Sequence, residues 1–205
     1  MTVSHLKAFV KTPRRRQSAG ETRAQVIQAA REWLRETGPQ AITLKSVATR
    51  AGVTHGNVTY HFGTVDALYS ALIATITEDL ALATATAVAH LRQGEMGTRE
   101  VVDVVFEAFK AGGAGRLVAW LAATGEAHRL APLYDIIANL VGELSEGDAG
   151  QQDGGAGTIG LMMMTTVISA LGESLIGGGL AAALGQDPKG VHQFTADGLE
   201  KLRRK

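Results

Sequence analysis

Apolar residues recur at three- and four-residue intervals along most of the chain, and no stretch alternates as a half-buried strand would. Val26, Ile27, Ala30, Trp33 and Leu34 make one helical stripe. Ser18 and Glu21 stand before it at the spacing of a capping box, and Gly38 and Pro39 end it. Thr43 is placed to cap a second helix over about Leu44–Ala51, with Leu44, Val47, Ala48 and Ala51 facing inward. Gly52 permits a tight turn, and Thr54 caps a third helix. Val53 and Val58 flank that cap as a hydrophobic staple. A fourth helix starts near Val65, shows the stripe Leu68, Tyr69, Leu72, Ile73 and Ile76, and runs to about Leu91. Amphipathic segments follow over about Arg99–Lys110, Arg116–Ala123 and Leu133–Leu144. Ser145–Gly157 has the composition of a loop. Thr158–Leu184 is almost wholly apolar or small, with Glu173 its only charge, and is expected as a helix packed on both sides. Asp187 and Pro188 are a suitable start for a last helix ending in Lys201–Lys205. The expected fold is all-α.

Charge divides this helical chain in two. The formal net charge is zero, but residues 1–70 carry ten Lys and Arg against four Asp and Glu, whereas residues 71–205 carry ten against sixteen. A basic module suited to phosphate thus precedes a more acidic body. Residues 1–20, with the run Pro13-Arg14-Arg15-Arg16, are expected as a flexible basic arm. Residues 21–65 are expected to be a three-helix DNA-binding module, and residues 66–205 a larger helical domain. The absence of cysteine excludes disulfides, thiolate metal sites and a cysteine nucleophile. With no signal-peptide pattern in the first residues, a cytoplasmic location is expected.

Residues 43–63 read TLKSVATRAGVTHGNVTYHFG, two short helices around a Gly-containing turn. If Val58 points to the core, Phe62 falls on the same side. Gly56 and Tyr60 lie opposite, Asn57 and Thr59 flank them, and His55 projects from the first turn. This face is short, polar and rich in donors. No acid occurs between Lys45 and Asp66, which suits a surface pressed on phosphate.

The stretch resembles the TetR (AcrR-like) family of regulators. The resemblance rests on Thr43 opening the second helix, the turn Ala51-Gly52-Val53, the ending Tyr60-His61-Phe62, and Asp66-Ala67-Leu68 after it, and covers about residues 21–70. It implies an N-terminal helix-turn-helix domain and a larger helical domain that binds a small ligand and dimerises through its last two long helices. It further implies phosphate contacts or close approach for Thr43, Lys45 and Thr54. His55, Gly56, Asn57 and Thr59 would lie near bases, and Tyr60 and His61 at the backbone. Val65 stands where the family often has a phosphate-reaching lysine, and Thr59 where Tyr or Asn is common. The implied function is a ligand-responsive regulator, a repressor, binding a palindromic operator as a homodimer. The implied partners are operator DNA, a small molecule and a second copy of the chain.

Large apolar and aromatic residues in the middle helices point to a mostly apolar effector. Phe106, Phe109, Trp120, His128, Tyr134 and Met163 are the candidate lining. Competing signals are weaker. Gly155–Gly160 matches GxGxxG, but no strand precedes it, so no dinucleotide or other cofactor is expected. Thr158–Leu184 is long enough for a bilayer, yet small residues and Glu173 favour a protein interior, and no membrane partner is expected. The histidines show no metal spacing, and no catalytic triad can be argued, so the chain is not expected to be an enzyme. A small helical enzyme or binding protein without DNA function is the alternative.

Overall fold

In the computed structural model, which describes residues 18–146 and 155–203, ten α-helices succeed one another and no strand occurs among the described residues. They are α1 (Ala19–Thr37), α2 (Leu44–Ala51), α3 (His55–Phe62), α4 (Val65–Arg92) and α5 (Thr98–Lys110). After these come α6 (Ala114–Ala123), α7 (Ala131–Glu146), α8 (Gly155–Gly172), α9 (Gly178–Leu184) and α10 (Gly190–Arg203). The expected caps close α1 to α3. Ser18 and Glu21 form the capping box of α1, Thr43 accepts from the Ser46 N–H, and Thr54 accepts from the Asn57 N–H. Ser46 also returns a bond to the Thr43 N–H, a reciprocal box formed with serine in place of the usual Glu or Gln. Gly52 takes the left-handed conformation at φ 66°, a position a side chain resists, and this sharpens the turn between α2 and α3.

Two apolar clusters organise the chain. The first joins α1, α2, α3, the first half of α4 and α6, with Val26, Leu34, Val47, Val58, Leu68 and Leu72 completely or almost completely shielded. The second gathers Phe106 and Phe109 of α5, Leu133 of α7, Ala170 of α8 and Ala196 of α10 around Leu80 of α4. The 28-residue α4 contributes to both. Burial of the Val, Leu and Phe side chains among these, each stabilising by about 1.5–3 kcal/mol, is the main cohesion.

Helix α6 ties the two clusters to α1. Its leading Gly113 sits at φ 78°, where an added Cβ would lie 2.9 Å from Leu34 Cγ, and Arg116 donates to the Arg35 carbonyl oxygen at 2.9 Å. On α6 itself, a Cβ on Gly115 would lie 2.0 Å from Ser174 Oγ. That serine belongs to a π-helical turn, Glu173–Gly177, between α8 and α9. The stretch expected as one helix over Thr158–Leu184 is helical throughout and passes through this wider turn. The wider turn folds Glu173 back over Gly177, where a Cβ would meet Glu173 Cγ at 2.8 Å, so glycine is required there.

Val65–Arg92 and Gly157–Leu184 are each long and apolar enough to cross a membrane by length and composition. The second is only 17% buried within the chain, so the expected packing on both sides is not met by one copy. Its outer face leaves Leu161, Met164, Ile168, Ile176 and Leu180 exposed, and Phe194 of α10 is 81% exposed. Gly155–Gly160, read from sequence as a loop into a helix, already forms the first turn of α8. The last helix begins at Gly190 rather than at Pro188. Asp187 accepts from the Lys189 N–H at 2.9 Å just before it.

Candidate nucleic-acid interface

The turn at Gly52 sets α3 across the end of α2, and Val58 and Phe62 anchor it in the first cluster. Gln25 of α1 donates to the Ala51 carbonyl at 2.7 Å and pins this turn from below. With that face fixed, the opposite face is bound to point outward. His55, Gly56, Asn57, Thr59 and Tyr60 are all exposed, Tyr60 to 84%, and His61 is half-buried with its ring edge-on to Tyr60 at 5.2 Å. Thr59 turns its hydroxyl back to the His55 carbonyl at 3.0 Å. The Asn57 amide and the Tyr60 hydroxyl make no side-chain hydrogen bond among the described residues, so their donors remain available. Nothing among the described residues demands glycine at position 56: an added Cβ would meet only Thr54 Oγ1, at 3.9 Å. Room outside the helix is what that residue preserves.

Thr43 and Thr54 are exposed at the N-termini of α2 and α3, where free N–H groups and the helix dipole favour anions. Lys45 is exposed and pairs with no acid among the described residues. The predicted contact residues of α2 and α3 are thus exposed or half-buried, and no acid stands between Lys45 and Asp66 in the sequence. Arg23 of α1 joins them, its guanidinium 5.2 Å from the centre of the Phe62 ring and unpaired by any acid among the described residues. Sequence reasoning passed over it because it lies outside the helix-turn-helix. Its signal was an isolated arginine on the polar side of the α1 stripe. Arg50, by contrast, is withdrawn. It makes two bonds to Glu36 at 2.7 and 2.6 Å and one to Glu32 at 3.2 Å, and lies over Trp33. The run Arg14–Arg16 lies outside the described residues.

The six candidate effector residues do not surround one space. Phe106 and Phe109 are sealed in the second cluster, with exposures of 0% and 1%. His128 and Tyr134 are exposed, and Met163 is half-buried on α8. Trp120 alone lines a cleft of about 210 Å³, with Asp66, Tyr69, Leu121, Thr124, Glu126 and Arg129. Within it the rings of Tyr69 and Trp120 stack at 5.2 Å, and the Tyr69 hydroxyl donates to the Pro39 carbonyl. Burial, aided by the Asp66 charge, pushes that phenol above its ordinary pKa. Arg129 bridges Glu126 at 2.8 Å and Asp66 at 3.2 Å, joining the start of α4 to the turn before α7. Its charged state is reinforced by the Glu126 hydrogen bond foremost. Periodicity could not separate these cases, since core, surface and cleft aromatics occupy the same helical spacing.

Residues 26–72 match the family model for bacterial regulatory proteins of the tetR family. An HTH-type transcriptional repressor of Mycobacterium tuberculosis, Rv3405c, is 41% identical over 64 residues, covering 30% of this chain and 34% of that protein. The match therefore spans about a third of the curated relative's length. A transcriptional regulator from Rhodococcus sp. Rha1 superposes with a TM-score of 0.65 at 18% identity, over 89% of this chain and 96% of its own. The multidrug binding protein EbrR, solved with imidazole, superposes with a TM-score of 0.56 at 22% identity, over 89% and 94%. The matched sequence coincides with α1 to the start of α4, whereas the likeness in fold extends through the helices beyond.

Proposed function

The chain belongs to the TetR family of bacterial regulatory proteins, and from that premise we propose that it is a transcriptional repressor working on operator DNA as a homodimer in the cytoplasm. The carrying observation is the α3 face: five exposed residues, none acidic, two of them with donors unused among the described residues. Such a helix fits the major groove, with Asn57 addressing base edges and Thr43, Lys45, Thr54 and Tyr60 the phosphates. In this reading residues 21–65 bind DNA and residues 66–205 receive an effector and dimerise. The exposed apolar stripe on α8, α9 and α10 supports the dimer, because faces of that kind on two copies bury each other. A twofold dimer would present two α3 helices to a palindrome. A small, mostly apolar effector would lower DNA affinity by preferring the form that cannot bind. The fold shared with a multidrug binding protein supports that part of the reading.

The test is protection mapping on the DNA upstream of the protein's own gene, at two salt concentrations. A palindromic footprint that weakens with salt is expected. Salt-independent or wholly non-specific binding would overturn the reading.

A further inference from the structure

The only charge in the apolar Thr158–Leu184 stretch has no role in the interface described above. Glu173 opens the π-helical turn, and its side chain is just 6% exposed. Burial of a carboxylate is costly unless hydrogen bonds replace its water. Among the described residues Glu173 accepts none: Oε2 is buried without a partner, and Oε1 stands 3.6 Å from Lys110 Nζ, ion-pair distance but too long for a hydrogen bond. The lysine is itself 57% exposed. The turn lies against α5 and α6, where Phe109 and Lys110 close α5 and Gly115 admits Ser174. π-Helical turns inside α-helices recur at functional sites. Here the turn, with glycine at 177, is what aims the carboxylate inward.

We infer that Glu173 is the polar anchor of the effector site and selects guests that carry an ammonium group on an apolar body. This rests on the ligand-responsive reading above. The orphaned oxygen is an acceptor awaiting a charged donor, and the turn packs on α5, whose Phe109 belongs to the second apolar cluster and would meet a hydrocarbon body. Lys110 holds the place of the guest's ammonium from the solvent side, and swings out when the guest enters. The guest then presses on the π-helical turn. Through the Ser174–Gly115 contact it displaces α6, which is bonded to α1 by Arg116.

Calorimetry on the full chain with n-decylamine, n-decanol and decanoate at neutral pH, below their aggregation limits, separates head-group from tail. Decylammonium should bind at least about tenfold more tightly than decanol, the effect of one hydrogen bond to a charged group, and decanoate should not bind. Glu173→Gln should abolish the preference, and Lys110→Ala, which frees the carboxylate, should strengthen amine binding. A preference that survives Glu173→Gln, decanol or decanoate equalling the amine, or no binding by any probe would overturn the inference. Should Glu173→Gln fail to fold, the ranking by the parent and the Lys110→Ala response decide alone. A gel shift without probe keeps the two readings apart. Specific DNA binding with no amine preference sinks only the anchor, whereas absent DNA binding sinks the repressor.

Discussion

Replacing Gly115 by alanine puts opposite forces on one atom. In a helix interior the change would stabilise by about 0.5–1 kcal/mol, because alanine loses less backbone freedom; at the second residue of α6 the gain is smaller. Here, however, the new methyl would stand 2.0 Å from Ser174 Oγ, 3.0 Å from its Cβ and 3.3 Å from the Phe109 carbonyl oxygen. Rotating the hydroxyl away breaks its 2.7 Å bond to the Leu171 carbonyl and leaves the other two contacts tight. Overpacking of this kind costs about 1–3 kcal/mol, so a net loss of about 1–2 kcal/mol is expected. For a chain of this size that lowers Tm by roughly 2–8 °C. Thermal unfolding followed by circular dichroism, at one fixed protein concentration, measures it. Ser174→Ala alone should cost about 0.5–1 kcal/mol for the lost bond. In combination it should recover part of the Gly115→Ala loss, because the closest atom is gone. A Gly115→Ala variant as stable as the parent, or a double variant whose losses simply add, would refute the close approach of α6 to the π-helical turn.

Tyr60→Ala should weaken DNA binding uniformly across sequences, whereas Asn57→Ala should relax preference at particular bases by about 1–3 kcal/mol; competition gel shifts with variant operators distinguish the two. Phe194→Glu should turn a dimer into a monomer by light scattering at micromolar concentration, with the helical content retained. Asp103 gives a pH dependence. Burial pushes its carboxyl up, but hydrogen bonds from His192 and Arg99 outweigh that and hold it below the ordinary value. The stability it contributes to the contact of α5 with α10 is therefore present above about pH 4 and lost as pH falls through the lower folded value. Asp103→Asn should flatten the acid limb of a Tm-against-pH curve, and an unchanged limb would contradict the assignment.

Sequence reasoning reached furthest where one residue does one local job. The caps at Ser18, Thr43 and Thr54, the turn at Gly52 and the outward face of α3 all follow from spacing alone, since each depends on neighbours within four residues. It faltered where the partner is distant. Phe106, Trp120 and Tyr134 look alike in a helical stripe, yet one is core, one lines a cleft and one is exposed. Nothing local distinguishes them. The π-helical turn within Thr158–Leu184 hangs on Gly177 making room for Glu173, a requirement visible only once the turn has formed. Arg23 likewise acquires its place through Phe62, 39 positions along the chain.

The capture of Arg50 by Glu36 and Glu32 bears on ion release. A guanidinium already neutralised within the fold displaces no cation from DNA, and Arg31, held by Asp79 of α4, is in the same position. The formal excess of base in the first seventy residues thus overstates the number of counterions set free. Lys45 and Arg23 in each of two protomers would make four phosphate contacts. They would give log K a slope of roughly −4 against log salt concentration. A steeper slope is expected from the basic residues 1–17, and removing them should bring it back toward that value.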